Sequence, residues 1–401
     1  LGVSYLASYS PANPHSQVSM SNITQITNNV MYCDPSGYGE GLLIKDSSVI
    51  PNIENNIISG CGEALMIQDS EVSLIQDNEF LHSEVGVSVE SNSTVNKMDR
   101  NLFGAAIRGI YIDTSEVSGI YNSLFKPQTH ACGSEENYHY GIYFNNNAAG
   151  ATIAYNTFYN PYSYDAFIHA DDALASGQLN IVNNVFDITD STTASAYLAI
   201  NVFDLNDLGQ LDYNIYNRID YPVYDSDLNQ YYSFEATQTL GHETAGYSFD
   251  DTSGVIDTSS SSLELKTTGY GAAGINSGTS VSGVSTDFLG NPRSVCTAPD
   301  IGANENQYSD DVDGDGLCGD STDYEVGGGS DSNSNSDSDT LSDYEEIYIY
   351  FTNPSHGDTD GDGMRDDWEV LYEEVDPNNP DDNLDDPDGD DLTDITYPVA
   401  V

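Results

Sequence analysis

Basic side chains are scarce in this chain of 401 residues. Only 9 Lys and Arg stand against 66 Asp and Glu, which gives a formal net charge of −57 at pH 7. Nucleic acids and anionic membranes are bound largely through Lys and Arg, because their phosphate groups are negative. The composition therefore excludes both classes of partner and favours divalent cations. Hydrophobic residues make up 38% of the chain, which is enough for a core.

Long apolar runs, tryptophan and methionine are also lacking. No run approaches the roughly 18 apolar residues of a membrane span. One Trp and five Met stand against 35 Gly and 29 Tyr, a balance typical of short strands and turns. The sequence begins at Leu1, so we expect a signal peptide to have been removed and the protein to be extracellular or on the cell surface. Five cysteines and sequons at Asn22 and Asn92 fit an exported glycoprotein.

A short pattern recurs through the first half of the chain: an apolar residue, two variable residues, an Asn, and then apolar or aromatic residues. The repeated residues are Asn29, Asn56, Asn78, Asn101, Asn156, Asn184 and Asn214, with Ser123 in the place of Asn in one copy. A second alternating strand lies between copies, at 41–44, 64–67, 86–89, 109–112 and 141–144. Steps of 22 or 23 residues without a helix, as from Asn56 to Asn78 to Asn101, predict a solenoid built of coiled strands.

The repeated Asn has a physical reason in such a solenoid. Coils stack about 4.8 Å apart, so eight coils would form a rod roughly 40 Å long. At a sharp bend an Asn tolerates the left-handed conformation, and stacked Asn side chains can form a hydrogen-bonded ladder along the rod. The apolar residues beside each Asn would then point inward and stack in files.

Residues 20–215 resemble the right-handed parallel β-helix repeat proteins, a group that holds pectate-lyase-like enzymes, surface adhesins and filament subunits. Residues 263–306 are similar to the closing segment of many exported bacterial and archaeal β-helix proteins, through Gly290-Asn-Pro-Arg293 and Asp300-Ile-Gly-Ala-Asn-Glu305. The resemblance implies that this segment caps the solenoid. It also implies that Arg293 forms a structural ion pair with Asp300 or Glu305.

From Asp310 the composition changes abruptly to Asp, Gly, Ser and Asn, and residues 358–369 fit the pattern D-x-D-x-D-G-x₅-E at every position. Calcium takes six to eight oxygen ligands, which this spacing supplies, and Gly363 permits the sharp turn between the two halves of the loop. The predicted ligands are Asp358, Asp360, Asp362, the Met364 carbonyl, Asp366 (often through water) and a bidentate Glu369.

Three weaker copies surround this loop. Their acidic or amide residues are Asp311, Asp313, Asp315 and Asp320; Asn335, Asp337, Asp339, Asp343 and Glu346; and Asp386, Asp388, Asp390 and Asp394. The first copy lacks the final Glu, the second has Thr340 in place of Gly, and the third has Asp391 and Tyr397 in place of Gly and Glu. These departures bear on affinity more than on the identity of the ion. The series resembles the thrombospondin type 3-like calcium repeats of exported microbial proteins, and an acidic disordered tail is the alternative.

The fold expected is therefore all-β, a right-handed parallel β-helix solenoid with a C-terminal Asp-rich calcium-binding region of loops and short helices. We divide the chain into four parts: an N-terminal extension at 1–20, the β-helix at 21–215, its end and closing segment at 216–308, and the calcium repeats at 309–401.

The cysteines fit the same stacking. Cys33 follows Asn29 by four residues and Cys61 follows Asn56 by five, so the two should lie on adjacent coils within disulfide distance. We predict a Cys33–Cys61 disulfide and a second between Cys296 and Cys318. Cys132 is then left over.

Polysaccharide cleavage is the main alternative to a structural role. A lyase needs cations, for which the candidates are Lys97, Arg100 and Arg108, but surface ion pairs are the simpler interpretation of these residues. Asp171 and Asp172 after His169 suggest a hydrolase. We interpret this pair as a loop, because no neighbours that would tune its pKa are evident. We therefore predict no catalytic residues.

Both ends of the chain carry a short apparent strand outside the repeats, at 1–9 and 395–401. An uncapped solenoid offers unpaired strand edges, to which such a strand from another copy could add; folding back onto its own rod is the alternative. We expect a structural extracellular protein that self-assembles into a filament, tube or surface layer with several calcium ions. Carbohydrate adhesion through the Tyr-rich stretch 155–164 is a third option, with surface glycans as partners.

Overall fold

The structure, a computed structural model, describes residues 16–19, 25–33, 40–105, 107–126, 140–160, 166–175, 177–188, 198–251, 253–259, 262–266, 269–293, 298–305, 335–337, 339–371 and 376–380. The chain divides into two compact units, residues 1–306 and residues 307–401. No helix in these ranges is long and apolar enough to cross a membrane.

Three parallel sheets build the first unit, and each full coil contributes strands to all three. Sheet A contains β1 (Ser16–Ser19), β4 (Glu40–Lys45), β7 (Glu63–Gln68), β10 (Val85–Glu90), β13 (Arg108–Asp113), β17 (Tyr140–Asn145), β20 (Ala166–Ala170), β23 (Leu198–Val202), β26 (Tyr221–Asp225) and the antiparallel β27 (Gln230–Tyr232). Sheet B contains β2 (Gln25–Thr27), β5 (Val49–Glu54), β8 (Glu71–Gln76), β11 (Thr94–Asp99), β14 (Glu116–Val117), β15 (Gly119–Tyr121), β18 (Thr152–Ala154), β21 (Leu179–Val182) and β24 (Leu208–Asp212). Sheet C contains β3 (Val30–Tyr32), β6 (Ile57–Ser59), β9 (Glu79–Leu81), β12 (Leu102–Gly104), β16 (Leu124–Phe125), β19 (Thr157–Asn160), β22 (Val185–Ile188), β25 (Ile215–Asn217) and β28 (Tyr247–Phe249).

Helices are few and short in the described part of the chain. They are α1 (Phe234–Thr239), two 3₁₀ turns (Leu205–Asp207 and Gly269–Gly274), α2 (Asp343–Glu345), which runs directly into a π-helical turn (Glu346–Tyr350), and α3 (Asp366–Glu369). The predicted all-β solenoid is therefore confirmed, and its coils continue past residue 215 to β28.

Equal positions in successive coils stack in register, which places the repeated apolar residues in files inside the rod. On sheet B, Ile53 pairs with Ile75, and Ile75 pairs with Met98. All members of this file are at most 7% exposed: Ile26, Ile53, Ile75, Met98, Ile120, Ile153, Ile181 and Leu211. On sheet C the aromatic file is stacked, with centroids 4.4 to 5.4 Å apart, and consists of Phe80, Phe103, Phe125, Phe158, Phe186 and Tyr216. The core is therefore a column of repeated side chains.

Glycine is the second residue of several sheet A strands, because the next coil comes very close there. A Cβ at Gly109 would lie 2.6 Å from the Gly141 carbonyl oxygen and 2.7 Å from the Phe125 ring. A side chain at this position would displace either the backbone of the next coil or the aromatic file. This is the physical reason for the Gly seen at the start of the alternating strand.

The predicted Asn ladder is present at the bend between sheets B and C. Where the next ladder member is also an Asn, each Asn donates hydrogen bonds from its backbone N and from Nδ2 to Oδ1 of that next Asn, at 2.8 to 3.1 Å. Ser123 replaces one member, accepting from Asn101 N at 3.2 Å and donating its own N–H to Asn156 Oδ1 at 3.0 Å.

The left-handed conformation, however, belongs to a different residue from the one we expected. It is the residue before each ladder position that has positive φ: Asn28, Asn55, Asp77, Arg100, Asn122, Tyr155, Asn183 and Tyr213. The ladder Asn itself turns inward and is buried, so its side chain is selected for hydrogen bonding rather than for backbone tolerance. The bend accepts an Asp, Arg or Tyr because that side chain points outward.

A carboxylate that sequence reasoning missed terminates the ladder. Glu243, which is fully buried, accepts from Asn214 N at 3.2 Å and from Asn214 Nδ2 at 2.7 Å, as another Asn would. It also accepts from the Tyr216 hydroxyl at 2.6 Å. Glu243 lies 29 residues after Asn214, a step between the two preceding steps of 28 and 30 residues, but a search for Asn passes over a Glu at this position.

We expect Glu243 to make the stability of the first unit depend on pH. Burial raises its pKa from 4.5 to about 7, so folding favours the protonated carboxyl. The stability it contributes is full below pH 4.5 and is lost as the pH rises through about 7, a fall of about 3 kcal/mol. Urea unfolding followed by far-UV circular dichroism between pH 4 and 8 should show this slope. Glu243→Gln should reduce the slope, whereas Glu235→Gln, at an exposed position of α1, should not. An equal slope in both variants would contradict the assignment.

The closing segment lies along the side of the rod instead of capping it. Leu265, Ile301 and Ala303 form one apolar cluster with Val185 and Ile215, which point outward from sheet C. Ala303 N donates to Thr157 Oγ1 on β19 at 3.0 Å, which fixes the segment to sheet C. The expected cap is therefore wrong for this segment, and it is Glu243 that closes the ladder.

Arg293 has the structural role that the resemblance implied. Its guanidinium bonds Glu305 Oε2 at 3.1 Å, and the two side chains are 2% and 3% exposed. Toward Asp300 it contacts the backbone carbonyl, at 3.4 Å, and not the carboxylate. Its ring contact with Tyr155, at 4.0 Å, leaves that tyrosine only 1% exposed and unavailable for the glycan contact suggested by the 155–164 stretch.

Cys33 and Cys61, the predicted pair, form a disulfide with their Cα atoms 5.0 Å apart. The bond joins the ends of two neighbouring sheet C strands, as the stacking of coils required. Cys132, Cys296 and Cys318 lie outside the described residues, as do the predicted end strands at 1–9 and 395–401.

Candidate metal centre

Two of the four predicted calcium loops lie among the described residues of the second unit. The loop at 358–369 contains the complete pattern, and the loop at 335–346 is one of the weaker copies. The other two, Asp311, Asp313, Asp315 and Asp320 and Asp386, Asp388, Asp390 and Asp394, fall outside the described residues. Asn22 does so too, while Asn92 is exposed at a bend with φ 58°.

In the 358–369 loop, backbone amides turn three carboxylates toward one another. Asp358 accepts from Gly361 N at 2.8 Å and from Gly363 N at 3.1 Å. Asp360 Oδ1 accepts from Asp362 N at 3.1 Å, and Asp362 Oδ1 accepts from Met364 N at 2.8 Å. One carboxylate oxygen from each of the three Asp lies within 4.8 Å of the others. Gly363 has φ 101°, which a residue with a side chain rarely adopts.

The 335–346 loop has the hydrogen bonds of the third and fifth positions 23 residues earlier. Asp337 Oδ1 accepts from Asp339 N at 3.0 Å, and Asp339 Oδ1 accepts from Leu341 N at 2.6 Å. Oxygens of Asp337, Asp339 and Glu346 also lie within 4.8 Å of one another. The departure from the motif is accommodated by the other loop, since Thr340 N donates to Asp367 Oδ2 at 2.9 Å. The copy that the sequence ranked as weaker therefore has the same architecture.

The aspartates at the ninth position of each loop accept hydrogen bonds that hold the loop together. Asp343 accepts at both oxygens from Ser336, through its N and its hydroxyl, each at 2.7 Å. Asp366 accepts in the same way from Thr359, at 2.8 Å and 2.8 Å. Both carboxylates are fully buried. These bonds tie the start of each loop to the helix that follows it, a role in addition to the ligation through water that we expected of Asp366.

The glutamates at the twelfth positions are as deeply buried as the aspartates at the ninth positions. Glu346 and Glu369 are both 0% exposed. Among the described residues, Glu346 Oε2, Asp337 Oδ2 and Asp339 Oδ2 are buried with no hydrogen-bond partner. A buried carboxylate without a partner is strongly unfavourable, so this arrangement requires a cation or a proton.

Burial and charge repulsion within the loops raise the pKa values of several of their carboxyl groups. Burial and the neighbouring Asp337 and Asp339 raise the pKa of Glu346 to about 8. Burial likewise raises the pKa of Asp339 to about 6 and that of Asp366 above its ordinary value. The carboxylates therefore hold each other in a high-energy state that a divalent cation would relieve.

The donor set is oxygen only, which suits hard cations such as calcium and magnesium. Residues able to hold an ion in the later loop are Asp358, Asp360, Asp362, the carbonyl of Met364 and Glu369. In the earlier loop they are Asn335, Asp337, Asp339 and Glu346, with Asn335 Nδ2 already donating to the Asp339 carbonyl at 2.7 Å. What the arrangement can do chemically is bind a cation and neutralise its charge.

The candidate catalytic residues of the first unit differ in whether they form ion pairs. Lys97 pairs with Asp99 at 2.9 Å and Arg100 pairs with Asp77 at 2.8 Å, which is the ion-pair interpretation. Asp171 contacts His169 at 3.4 Å. Arg108 has no ion pair among the described residues.

Comparison with known proteins agrees with the fold. Residues 16–186 match the family model described as a right-handed beta helix region. No curated protein matches the chain. The family match and the three parallel sheets together show a right-handed β-helix in the first unit.

Proposed function

We propose that this chain is a structural protein of the cell exterior, stabilised by calcium and assembled with copies of itself. The observation that carries the proposal is the pair of equivalent carboxylate loops, in which Glu346 and Glu369 are fully buried. Such loops are costly to form unless a cation fills them. The thrombospondin type 3-like character of residues 309–401 belongs to this proposal.

Calcium suits the loops better than magnesium. A bidentate Glu at the twelfth place and a backbone carbonyl at the seventh supply a large, flexible coordination sphere, whereas magnesium demands a small octahedral one and keeps several waters. The formal charge of −57 also gives divalent ions a second role, because they would bridge acidic copies that otherwise repel.

Assembly is supported by the two ends of the β-helix. At the first end, among the described residues, β2 pairs with β5 alone and β3 with β6 alone, so one backbone edge of each strand is open. Val30 and Tyr32 on β3 are 58% and 75% exposed. At the other end Leu228 and Leu240 are 66% and 49% exposed. Open edges flanked by exposed apolar side chains favour end-to-end contact with a second copy.

Electron microscopy with light scattering tests assembly, first in millimolar calcium and then after chelation. We expect ordered polymers that dissociate when calcium is removed. Asp360→Ala and deletion of residues 395–401 should each impair assembly, whereas Asp250→Ala, whose carboxylate is 92% exposed, should not. Monodisperse monomers in both conditions would overturn the assembly proposal. The calcium proposal has its own readout in the fluorescence of Trp368, the single tryptophan, which lies within the 358–369 loop.

A further inference from the structure

The two described calcium loops differ at their sixth position, where the later loop has Gly363 and the earlier loop has Thr340. Gly363 has φ 101°, and its N–H donates to Asp358 Oδ2 at 3.1 Å, so the later loop satisfies this amide from its own first position. A β-branched residue rarely adopts such a backbone conformation, and Thr340 is not among the described residues with positive φ. The earlier loop therefore needs a different acceptor for the same amide.

That acceptor comes from the later loop. Thr340 N donates to Asp367 Oδ2 at 2.9 Å, across 27 residues of sequence. At the first position of the earlier loop, Asn335 donates from Nδ2 to the Asp339 carbonyl at 2.7 Å, whereas Asp358 at the same position of the later loop accepts from its own turn. The earlier loop is thus completed by a carboxylate that belongs to its neighbour.

Asp367 is held in place for this contact. It lies in α3, the helix that also carries Glu369, the twelfth position of the later loop. Arg365, the single basic residue of 307–401, donates from Nη2 to the same Asp367 oxygen at 3.0 Å. The Asp367 side chain is 11% exposed, so water screens this contact little. Because Glu369 and Asp367 share one short helix, an ion that binds Glu369 also fixes Asp367.

A second contact joins the two loops. A Cβ at Gly357, the residue before Asp358, would lie 3.2 Å from Cβ of Asp339, so the backbone that leads into the later loop packs against an acidic residue of the earlier one. Asp339 shares its cluster with the fully buried Glu346. Asp339 Oδ2 and Glu346 Oε2 are buried without a hydrogen-bond partner among the described residues. The cation position of the earlier loop is therefore built against the later loop.

Charge alone would make the two ions oppose each other. Both loops are acidic, and a divalent cation in one loop weakens the negative potential that attracts a cation to the other. An interaction that favours joint occupancy must therefore come from the shared contacts. Couplings between binding sites commonly change affinity by about 5- to 150-fold, a range that one hydrogen bond to a poorly exposed carboxylate can supply.

We infer that calcium fills the 358–369 loop first, and that this fixes Asp367 as the acceptor that the 335–346 loop requires in order to bind its own ion. The inference rests on the proposed calcium function and adds an order of binding to it. The later loop fills first because its motif is complete and Asp358 satisfies its turn amides within the loop. Linkage makes the coupling reciprocal in free energy, but only the earlier loop depends on its neighbour for an acceptor.

Isothermal titration of the full chain with calcium chloride tests this order, with variants of both loops beside the wild type. Glu346→Gln should remove one ion and leave the affinity for the others unchanged, because the later loop fills without the earlier one. Glu369→Gln should remove one ion and weaken the binding of a second about tenfold or more, because Asp367 is then no longer fixed.

Substitutions at the contact distinguish coupling from ligation. Asp367→Ala should leave the number of ions unchanged and weaken the binding of one about tenfold or more, whereas Asp367→Asn keeps an acceptor oxygen and should have a smaller effect. Adding Thr340→Gly to Asp367→Ala should recover most of the loss, because a glycine can turn its N–H into its own loop as Gly363 does. Asp376→Ala is the matched control. This exposed carboxylate accepts from Asn378 N at 3.1 Å within its own turn, so calcium binding should not change.

Three results would overturn these proposals at different levels. Wild-type protein that binds no calcium would overturn the calcium proposal and this inference with it. Equal titrations of the wild type and Asp367→Ala, or loss of one ion without further change in both glutamate variants, would overturn the order of binding alone. A double variant as weak as Asp367→Ala would overturn the role assigned to the Thr340 amide. Far-UV circular dichroism and Trp368 fluorescence at saturating calcium check that each variant is folded.

Discussion

Glu346→Gln is expected to remove one calcium ion from the stoichiometry of the full chain, or to weaken that ion's binding by at least about 100-fold. The substitution replaces a fully buried carboxylate, which shares its cluster with Asp337 and Asp339, by a neutral amide. Glu369→Gln should have an effect of the same size in the later loop, because the two loops share the hydrogen bonds of their third, fifth and ninth positions. Calorimetric calcium titration of both variants beside the wild type measures this.

The neighbouring Glu345 provides the control for these variants. Its carboxylate accepts from Ser342 N at 2.9 Å and caps α2, so Glu345→Gln removes the same charge without removing a member of the acidic cluster. We expect normal stoichiometry in that variant. Trp368 fluorescence should report loss of order in the second unit on chelation, while the far-UV signal of the β-helix stays. A normal Glu346→Gln titration combined with a defective Glu369→Gln titration would show that the earlier loop does not bind an ion.

Arg293→Met should lower the free energy of unfolding of the first unit by about 3 to 5 kcal/mol. The guanidinium accounts for more than the Glu305 ion pair: Nε and Nη2 bond Asn122 Oδ1 at 3.0 and 2.9 Å. Nη2 also bonds the Gly302 and Ala303 carbonyls at 2.8 and 2.7 Å. Methionine fills part of the space but leaves a buried carboxylate and two carbonyls without their donor. Denaturant unfolding followed by far-UV circular dichroism at constant calcium gives the difference.

Two further variants distinguish loss of the buried ion pair from a general loss of stability on removing an arginine. Arg218 lies 3.6 Å from Asp250, whose side chain is 92% exposed, so Arg218→Met should cost less than about 1 kcal/mol. Adding Glu305→Gln to Arg293→Met removes the unpaired charge and should recover part of the loss. A cost below 1 kcal/mol for Arg293→Met would mean that the closing segment is held by its apolar contacts alone.

The calcium proposal depends on a motif that can be recognised in the sequence, because its ligands lie close together in the chain. Asp358, Asp360 and Asp362 lie within five residues, and the backbone amides that orient them belong to the same loop. Spacing alone could therefore predict which side chains meet. It could not predict that the Thr340 loop would be equivalent, because the compensating partner, Asp367, lies 27 residues later in the other loop.

The sequence by itself determined the β-helix, its ladder and the Cys33–Cys61 pair. In a solenoid, equal positions in successive repeats become spatial neighbours, so a periodic pattern states the contacts directly. Non-repeating contacts carry no such signal. Only the tertiary structure could place Glu243 at the end of the ladder and the closing segment against sheet C. It also decided that Arg108 contacts two tyrosine rings, whereas Lys97 and Arg100 form ion pairs with carboxylates. Each of these depends on which distant side chain a folded surface brings within a few ångströms, and hydrogen bonds and ion pairs are decided at that range.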